Sequence, residues 1–356
     1  MKILELTRSF YPSVGGLERF VANRLKIYDE LGYQYRIVST DFSSEKRDDS
    51  KARNDVEFLK QYTPYNIAFG LRKVLRDDYD VVSVHLLGRR YSDLAIRLAS
   101  KRGAKVVLTP HFSFHTPKYA TLKRLHERFV AGGTLKRVDR LICFTETERE
   151  FWRERFALPS EKIAKIPHFF EPPIAAPSAP PTDKKYLLYV GRIAPNKRLD
   201  LAIAAFRETN YDGEFAITGD PRDLPEETRR HFDEDRRLRS LGYVSEEEKA
   251  AWLSRAEALV FPSDYEAFGA TLFEASAYRR PVLCSSLDVF REIMDPRGAM
   301  FFKNETASIR ETFERFDNRS AEEKRAMGER NYENLGGFRF ERIVEEYRRL
   351  FEDLTA

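Results

Sequence analysis

The chain has 356 residues, 42% of them hydrophobic and 33% charged, with 61 basic side chains against 57 acidic ones. That length exceeds one ordinary core and predicts two domains of about 150–180 residues each. A formal charge of +4 is too small to argue for nucleic acid as a partner, and two cysteines, Cys143 and Cys284, exclude a disulfide framework or a cysteine zinc site.

Both cysteines sit inside apolar strand-like runs and read as buried thiols in a reducing compartment. The first residues, Met1-Lys2-Ile3-Leu4-Glu5-Leu6-Thr7, form a strand with charges in it rather than a signal peptide. No window approaches ~18 uninterrupted apolar residues, so no span is expected and a cytoplasmic location is.

Strand-like and helix-like runs alternate along the whole chain, which predicts an α/β architecture with mostly parallel sheets. In the first half, strands are predicted at Lys2–Thr7, Tyr35–Thr40, Val81–His85, Val106–Thr109 and Leu141–Phe144. Amphipathic helices are predicted over Leu17–Leu31, Ile67–Arg76, Ser92–Arg102, Tyr119–Phe129 and Glu146–Phe156. Pro12-Ser13-Val14-Gly15-Gly16 follows the first strand and opens the first helix. Paired glycines there admit a ligand to the backbone, or make a simple turn. No G-x-G-x-x-G is present, so a dinucleotide fingerprint is not supported.

Asp78-Tyr79-Asp80 spells a D-x-D, but it precedes a buried strand and reads as a solvated loop. His111 lies just past an apolar strand, in Thr109-Pro110-His111-Phe112, at the edge that would face a ligand; a structural histidine is the competing reading. His85 and His115 rank lower, and the three histidines do not match zinc-ligand spacing. From Thr116 to Arg140, basic residues interleave with Tyr119, Leu122, Leu125 and Phe129 at helical spacing. Such a helix would rest on anionic lipid headgroups, or else pack on the core with a solvated basic face.

Residues 171–181 (Glu171-Pro172-Pro173-Ile174-Ala175-Ala176-Pro177-Ser178-Ala179-Pro180-Pro181) can be neither helix nor central strand. They predict a semi-rigid linker. Beyond it the alternation restarts: strand Tyr186–Val190, helix Leu199–Phe206, strand Glu214–Thr218, a helix near Ala250–Leu253 and strand Ala258–Phe261. Two such halves joined by a proline hinge predict a cleft between them for a nucleotide-type ligand. The last segment, Phe338–Leu354, is a strongly amphipathic helix.

The chemistry concentrates in the second half. Val190-Gly191-Arg192-Ile193-Ala194-Pro195-Asn196-Lys197 places a planar guanidinium and a mobile ammonium in one βα loop, suited to phosphate oxygens. After strand Ala258–Phe261 come Asp264-Tyr265-Glu266-Ala267-Phe268-Gly269-Ala270-Thr271-Leu272-Phe273-Glu274. A helix starting at Ala270 or Thr271 would aim its amides and positive dipole end at an anion. Glu266 and Glu274 would then flank that anion with carboxylates for hydroxyl groups. At 1.5 Å rise, eight helical positions span roughly 12 Å, too far for the ~5–9.5 Å couple of a glycosidase.

This glutamate element resembles the E-x7-E of retaining glycosyltransferases of family 4. The G-R-x4-K run is similar to the same family's diphosphate grip. The resemblance covers nearly the whole chain and implies the GT-B fold: two Rossmann-like domains with mostly parallel sheets. It implies an acceptor-binding domain over 1–171, a linker over 172–184, a nucleotide-sugar domain over 185–336 and a final helix, 337–356, crossing back. By the same resemblance, Glu266 and His111 face the donor sugar, Glu274 holds the ribose, and Arg192 and Lys197 stabilise the leaving diphosphate. Gly15 and Gly16, with Phe268, Gly269, Ala270 and Thr271, would meet the donor phosphates, Gly219 its nucleotide side, and Tyr243 and Val244 its base.

The implied activity is transfer of a hexose-type sugar from a UDP or GDP sugar to a glycan or lipid-linked acceptor, with retention and without a metal. A non-catalytic nucleotide-sugar-binding subunit and a sugar-nucleotide epimerase are the competing readings. Three positions depart from the family pattern: Arg198 stands where glycine is usual, Asp220 replaces the second glycine of a G-x-G-P, and Arg279-Arg280-Pro281 stands for G-x-P.

Overall fold

Runs such as Val81–His85 and Glu214–Thr218 are buried along their entire length, the state of strands covered by helices on both faces. In this computed structural model, which describes residues 1–13, 15–41, 49–62, 67–111, 130–171 and 182–356, they build two parallel sheets. The expected helix Tyr119–Phe129, His115 and the proline-rich residues 172–181 lie outside the described residues.

The first sheet comprises β1 (Lys2–Thr7), β2 (Gln34–Thr40), β3 (Val56–Leu59), β6 (Val81–His85), β7 (Lys105–Thr109), β8 (Arg140–Cys143) and β9 (Ile163–Lys165), ordered β3-β2-β1-β6-β7-β8-β9. Between β3 and β6 the chain forms a separate antiparallel pair, β4 (Gln61–Tyr62) with β5 (Ile67–Ala68). The second sheet comprises β10 (Tyr186–Tyr189), β11 (Glu214–Thr218), β12 (Leu238–Gly242), β13 (Ala258–Phe261), β14 (Val282–Ser285) and β15 (Ala299–Phe302), ordered β12-β11-β10-β13-β14-β15. In each sheet the chain runs outward in one direction, then restarts on the other side of its first strand. The reversals fall between β1 and β6 and between β10 and β13. At such a switch point the loops leave in opposite directions and open a crevice at the strands' carboxyl ends.

The predicted helix over Ile67–Arg76 does not form. Gly70, at φ 90°, breaks it, leaving β5 before the glycine and one helical turn, Leu71–Val74, after it. Helix Glu146–Phe156 is capped by Thr145, whose hydroxyl accepts from the Glu148 amide. Ser245 with Glu248, and Ser320 with Glu323, form full capping boxes on the helices Glu246–Arg255 and Ala321–Asn334.

Residues Met1–Phe169 together with Phe340–Ala356 form one compact unit, and Phe170–Arg339 the other. The closing helix, Phe340–Thr355, buries Ile343, Val344, Tyr347, Leu350, Phe351 and Leu354. Its Phe351 packs edge-on to Tyr28 of the helix Gly16–Glu30. Both cysteines are buried on strands, Cys143 on β8 and Cys284 on β14. Among the described residues no helix is long and apolar enough to cross a membrane.

Asp78-Tyr79-Asp80 sits at the amino ends of β1 and β6. There Asp80 accepts from the Lys2 amide at 2.7 Å and Tyr79 from Arg36 at 3.1 Å. The D-x-D is therefore tied into the strand ends, and among the described residues no group of side chains is placed to hold a metal ion.

Candidate active site

At the switch point of the second sheet, the loops after β10 and β13 meet. The Asp264 amide donates to the Asn196 carbonyl at 2.8 Å, joining them by their backbones. Lys197, at the end of the turn Pro195–Lys197, forms an ion pair with Glu266, and the Ser263 hydroxyl donates to the same carboxylate oxygen at 2.9 Å. The Lys197 ammonium also lies 5.3 Å from the centre of the Phe261 ring. The two side chains retain 14% and 15% exposure, buried enough to hold their geometry and open enough to change partner. Arg192, in the same loop, is exposed.

Beyond Glu266 the chain turns at Gly269 into the helix Ala270–Ala277. Gly269 has φ 87°, and a Cβ there would stand 2.9 Å from the Phe290 ring, so glycine is required by conformation and by space. Phe268 is buried and stacks on Phe273 at 4.9 Å with a 4° interplanar angle. Its side chain anchors the turn, so a ligand could meet it only through the backbone. Ala270 is exposed and Thr271 half-buried at the helix end whose first amides lack intrahelical acceptors. Glu274, one turn on, is held at 2.8 Å by Lys249, which also pairs with Glu246 at 2.8 Å. Lys249 was not anticipated from the sequence; its only signal is a basic residue on the helix Glu246–Arg255 that packs beside the glutamate helix.

The three departures from the family pattern have local explanations. Arg198 has φ 46° and Arg279 φ 54°, so both arginines occupy the left-handed conformation that glycine adopts freely. Arginine there costs about 1 kcal/mol or more. Arg198 is compensated by ion pairs to Asp200 at 3.4 Å and Asp264 at 3.1 Å. Arg279 pairs with Glu329 at 2.9 Å and stacks 3.8 Å from the Tyr332 ring centre. Asp220 has an ordinary φ of −86° and caps the turn Pro221–Asp223 by accepting from the Arg222 amide. Gly219, at φ 103°, is the residue that must be glycine, with Ile193 2.9 Å from any Cβ. Its amide donates to the Gly242 carbonyl at 2.7 Å, bringing it beside Tyr243, which is 65% exposed, and the half-buried Val244.

The first unit has its own polar cluster at the β1/β6 switch. In the sheet register Glu5 lies opposite Ser83, and His85 opposite Thr109. Strand alternation therefore puts Glu5, Ser83, His85 and Thr109 on one sheet face. All four are fully buried. Arg24, from the helix Gly16–Glu30, donates to Ser83 at 2.9 Å, Thr109 at 2.7 Å and Tyr347 at 3.0 Å, and lies 3.8 Å from Glu5. Tyr28 donates to Glu5 at 2.8 Å. His111, just past β7 at a left-handed φ of 52°, reaches back to His85 at 2.8 Å. At the start of the same helix, a Cβ on Gly16 would meet nothing within 4 Å, and one on Gly15 only the tip of Glu18. Sequence reading missed Glu5 and Arg24. Their signal was a carboxylate amid Ile3-Leu4-Glu5-Leu6 and an arginine on an otherwise apolar helix face.

Burial raises the Glu5 carboxyl, but His85, Arg24 and the donated hydrogen bonds outweigh it and hold it below the ordinary range. Burial lowers His85 despite Glu5. Burial, with His85, His168 and Arg24, lowers His111 well below the ordinary histidine range. His168, packed on Phe20 at 4.7 Å and Phe144 at 4.3 Å, is pushed down to about 3 by burial and by Arg24. An imidazole depressed on folding binds its proton more readily in the unfolded chain, so it stabilises the fold above its unfolded value. That stability is lost as pH falls from about 6.5 toward 3, on the order of 4–5 kcal/mol for His168 alone. In a Trp252→Phe background, His168→Phe is therefore expected to flatten the acid limb of a urea-midpoint-against-pH profile followed by Trp152 fluorescence; a limb as steep as that of the background protein would refute it.

The family model described as Glycosyltransferase Family 4 matches residues 14–172, and the one described as Glycosyl transferases group 1 matches residues 171–334. The phosphatidylinositol N-acetylglucosaminyltransferase GPI3 subunit of Saccharomyces cerevisiae is 23% identical over 84% of this chain and 71% of its own length. A GDP-mannose:cellobiosyl-diphosphopolyprenol alpha-mannosyltransferase of Komagataeibacter xylinus is 22% identical over 100% of this chain and 94% of its own. Among solved structures, Anabaena Alr3699/HepE in complex with UDP and glucose superposes with a TM-score of 0.79 at 15% identity, covering 99% of this chain and 100% of that one. Sucrose-phosphate synthase from Thermosynechococcus elongatus superposes at 0.77 with 18% identity, covering 99% of each chain.

Proposed function

From the premise that this chain belongs to the family 4 glycosyltransferases, of GT-B fold, we propose that it transfers a hexose-type sugar from a nucleoside-diphosphate sugar. The acceptor is a glycan or a lipid-linked sugar, and the anomeric configuration is retained. The observation that carries this reading is the meeting of Lys197 and Glu266 at the β10/β13 switch point, beside the start of the helix Ala270–Ala277.

The diphosphate takes the amides at Ala270 and Thr271 and the cations Arg192 and Lys197. Lys197, paired with Glu266 at rest, turns its charge to the phosphate oxygens and releases the carboxylate to the sugar hydroxyls. As the anomeric C–O bond breaks, negative charge grows on the leaving diphosphate. Fixed cations and backbone dipoles stabilise that charge more than the ground state, which lowers the barrier. These groups do this without a metal. Glu274, preoriented by Lys249, takes the ribose hydroxyls, and the backbone around Tyr243 and Val244 takes the base.

UDP and GDP are both candidate carriers: the Anabaena neighbour binds UDP, and the Komagataeibacter relative uses GDP-mannose. The acceptor class is supported by the names of the yeast and Komagataeibacter relatives, which act on phosphatidylinositol and a diphosphopolyprenol.

A thermal-shift panel of UDP, GDP and their sugars tests the proposal, because a ligand that binds only the folded state raises its melting point. One nucleotide series is expected to stabilise the protein. Glu274→Ala is expected to weaken that nucleotide about tenfold or more by calorimetry, the loss of hydrogen bonds to a charged group. Unchanged affinity in the variant would remove Glu274 from ribose recognition.

A further inference from the structure

The first unit contains a hydrogen-bonded chain whose polarity is set from its buried end. His85 Nε2 meets Glu5 Oε1 at 2.5 Å, and His85 Nδ1 meets His111 Nε2 at 2.8 Å. We propose that Glu5 and His85 are positioning residues that fix His111 in one tautomer, with its proton on Nε2 and a bare Nδ1 that accepts a hydrogen bond from a substrate hydroxyl. The assignment of His111 to the sugar rests on the family resemblance and on the function proposed above; the tautomer does not.

An ionised carboxylate can only accept, so His85 Nε2 carries a proton and donates it to Glu5. A neutral His85 then has a bare Nδ1. The contact with His111 can exist only if His111 Nε2 donates, which leaves His111 Nδ1 unprotonated. Each step depends on Glu5 being charged and His85 neutral. Arg24, 3.8 Å from Glu5 and fully buried, already neutralises the carboxylate, and Tyr28 donates to its second oxygen at 2.8 Å. A second cation at His85 would be desolvated with no further anion beside it. Burial lowers both imidazoles as well. Among the described residues, the titratable groups facing the pair from neighbouring elements are Arg24 and Tyr28 on the first helix, Tyr347 on the last, and His168 after β9. None of them is an anion that would draw a proton onto His111.

The geometry has a cost that packing alone does not explain. His111 is held at a left-handed φ of 52°, strain of the kind that clusters at functional positions. The ring is fixed by edge contact with Phe20 at 4.9 Å and by His85. Its Nδ1 has no hydrogen-bond partner among the described residues, and the residue keeps partial exposure. An acceptor atom held rigid and polarised through two buried bonds is suited to one hydroxyl.

Histidine-selective ¹⁵N NMR of the full chain tests this, each of the six histidines being assigned by substitution. In wild type, His111 is expected to show a protonated Nε2 and a bare Nδ1 across neutral pH. A proton on Nδ1 would overturn the proposal. His85→Phe removes the lock and is expected to give mixed His111 tautomers. His85→Gln restores the polarity, since its amide donates to Glu5 while its carbonyl accepts from His111, and is expected to restore the single tautomer.

Kinetics with UDP-glucose, UDP-N-acetylglucosamine and GDP-mannose give the second reading. His85→Phe is expected to lower kcat about tenfold, the worth of one hydrogen bond, with donor KM within a factor of about three, and His85→Gln to recover most of it. Should His85→Phe not fold, the wild-type spectrum and His85→Gln still decide. A wild-type chain that turns over none of the donors would refute the proposed activity while leaving the tautomer result standing; an active wild type with His111 protonated on Nδ1 would do the reverse.

Discussion

Lys197→Ala is expected to lower sugar transfer by about 10²–10³-fold, the range for removing one preorganised group that stabilises developing charge. Lys197 is held by its ion pair to Glu266 and by the face of Phe261, so its ammonium needs little reorganisation when the diphosphate arrives. Alanine removes a full charge from a site where the competing solvent is partly excluded. Arg192 is exposed and compensates weakly. Folding is expected to survive, because Lys197 is partly exposed and Glu266 keeps its hydrogen bond from Ser263. Steady-state rates beside a melting curve check both halves; a folded variant at full rate would take Lys197 out of the chemistry.

Arg24→Leu is expected to destabilise the first unit by about 3–5 kcal/mol, the cost of leaving a buried charge without its partner. Glu5 is fully buried, and His85 and Tyr28 supply hydrogen bonds but no positive charge. Ser83, Thr109 and Tyr347 lose their donor at the same time. Each unit carries one tryptophan, Trp152 in the first and Trp252 in the second, and both are buried. Urea unfolding of a Trp252→Phe background would therefore report the first unit alone. Adding Glu5→Gln to Arg24→Leu is expected to recover part of the loss, since it removes the orphaned charge; purely additive losses would contradict the coupling.

Much of this architecture was readable where local signals agree. Glu214–Thr218, Ala258–Phe261 and Glu146–Phe156 have the predicted bounds, because continuous apolar runs or a cap with helical periodicity leave one interpretation. Val56–Leu59, Ile163–Lys165 and Leu238–Gly242 are short, and they lie at or beside sheet edges with polar residues among them. Only pairing with a neighbour makes them strands. Over Ile67–Arg76 the apolar spacing suggested a helix, and the single glycine at position 70 overruled it.

The site divides the same way. The glutamate spacing, the Gly269 turn and the G-R-x4-K loop were visible in the sequence, each within one segment. That Lys197 and Glu266 touch depends on β10 and β13 being neighbours, which no local pattern encodes. Arg198 and Arg279 looked like departures because side-chain identity hides backbone conformation; both keep the left-handed geometry at which glycine is usual. The Glu5–His85–His111 chain crosses three strands, and only the register of β1, β6 and β7 brings it together.

Calorimetric titration of wild type and Lys197→Ala with a nucleoside diphosphate and its monophosphate isolates the charge picture from everything else. Wild type should bind the diphosphate at least about tenfold more tightly than the monophosphate, the worth of a charge-assisted contact, and Lys197→Ala should lose most of that ratio. Equal affinities in wild type, or a ratio untouched by the substitution, would show that the β10/β13 loops do not hold the leaving group.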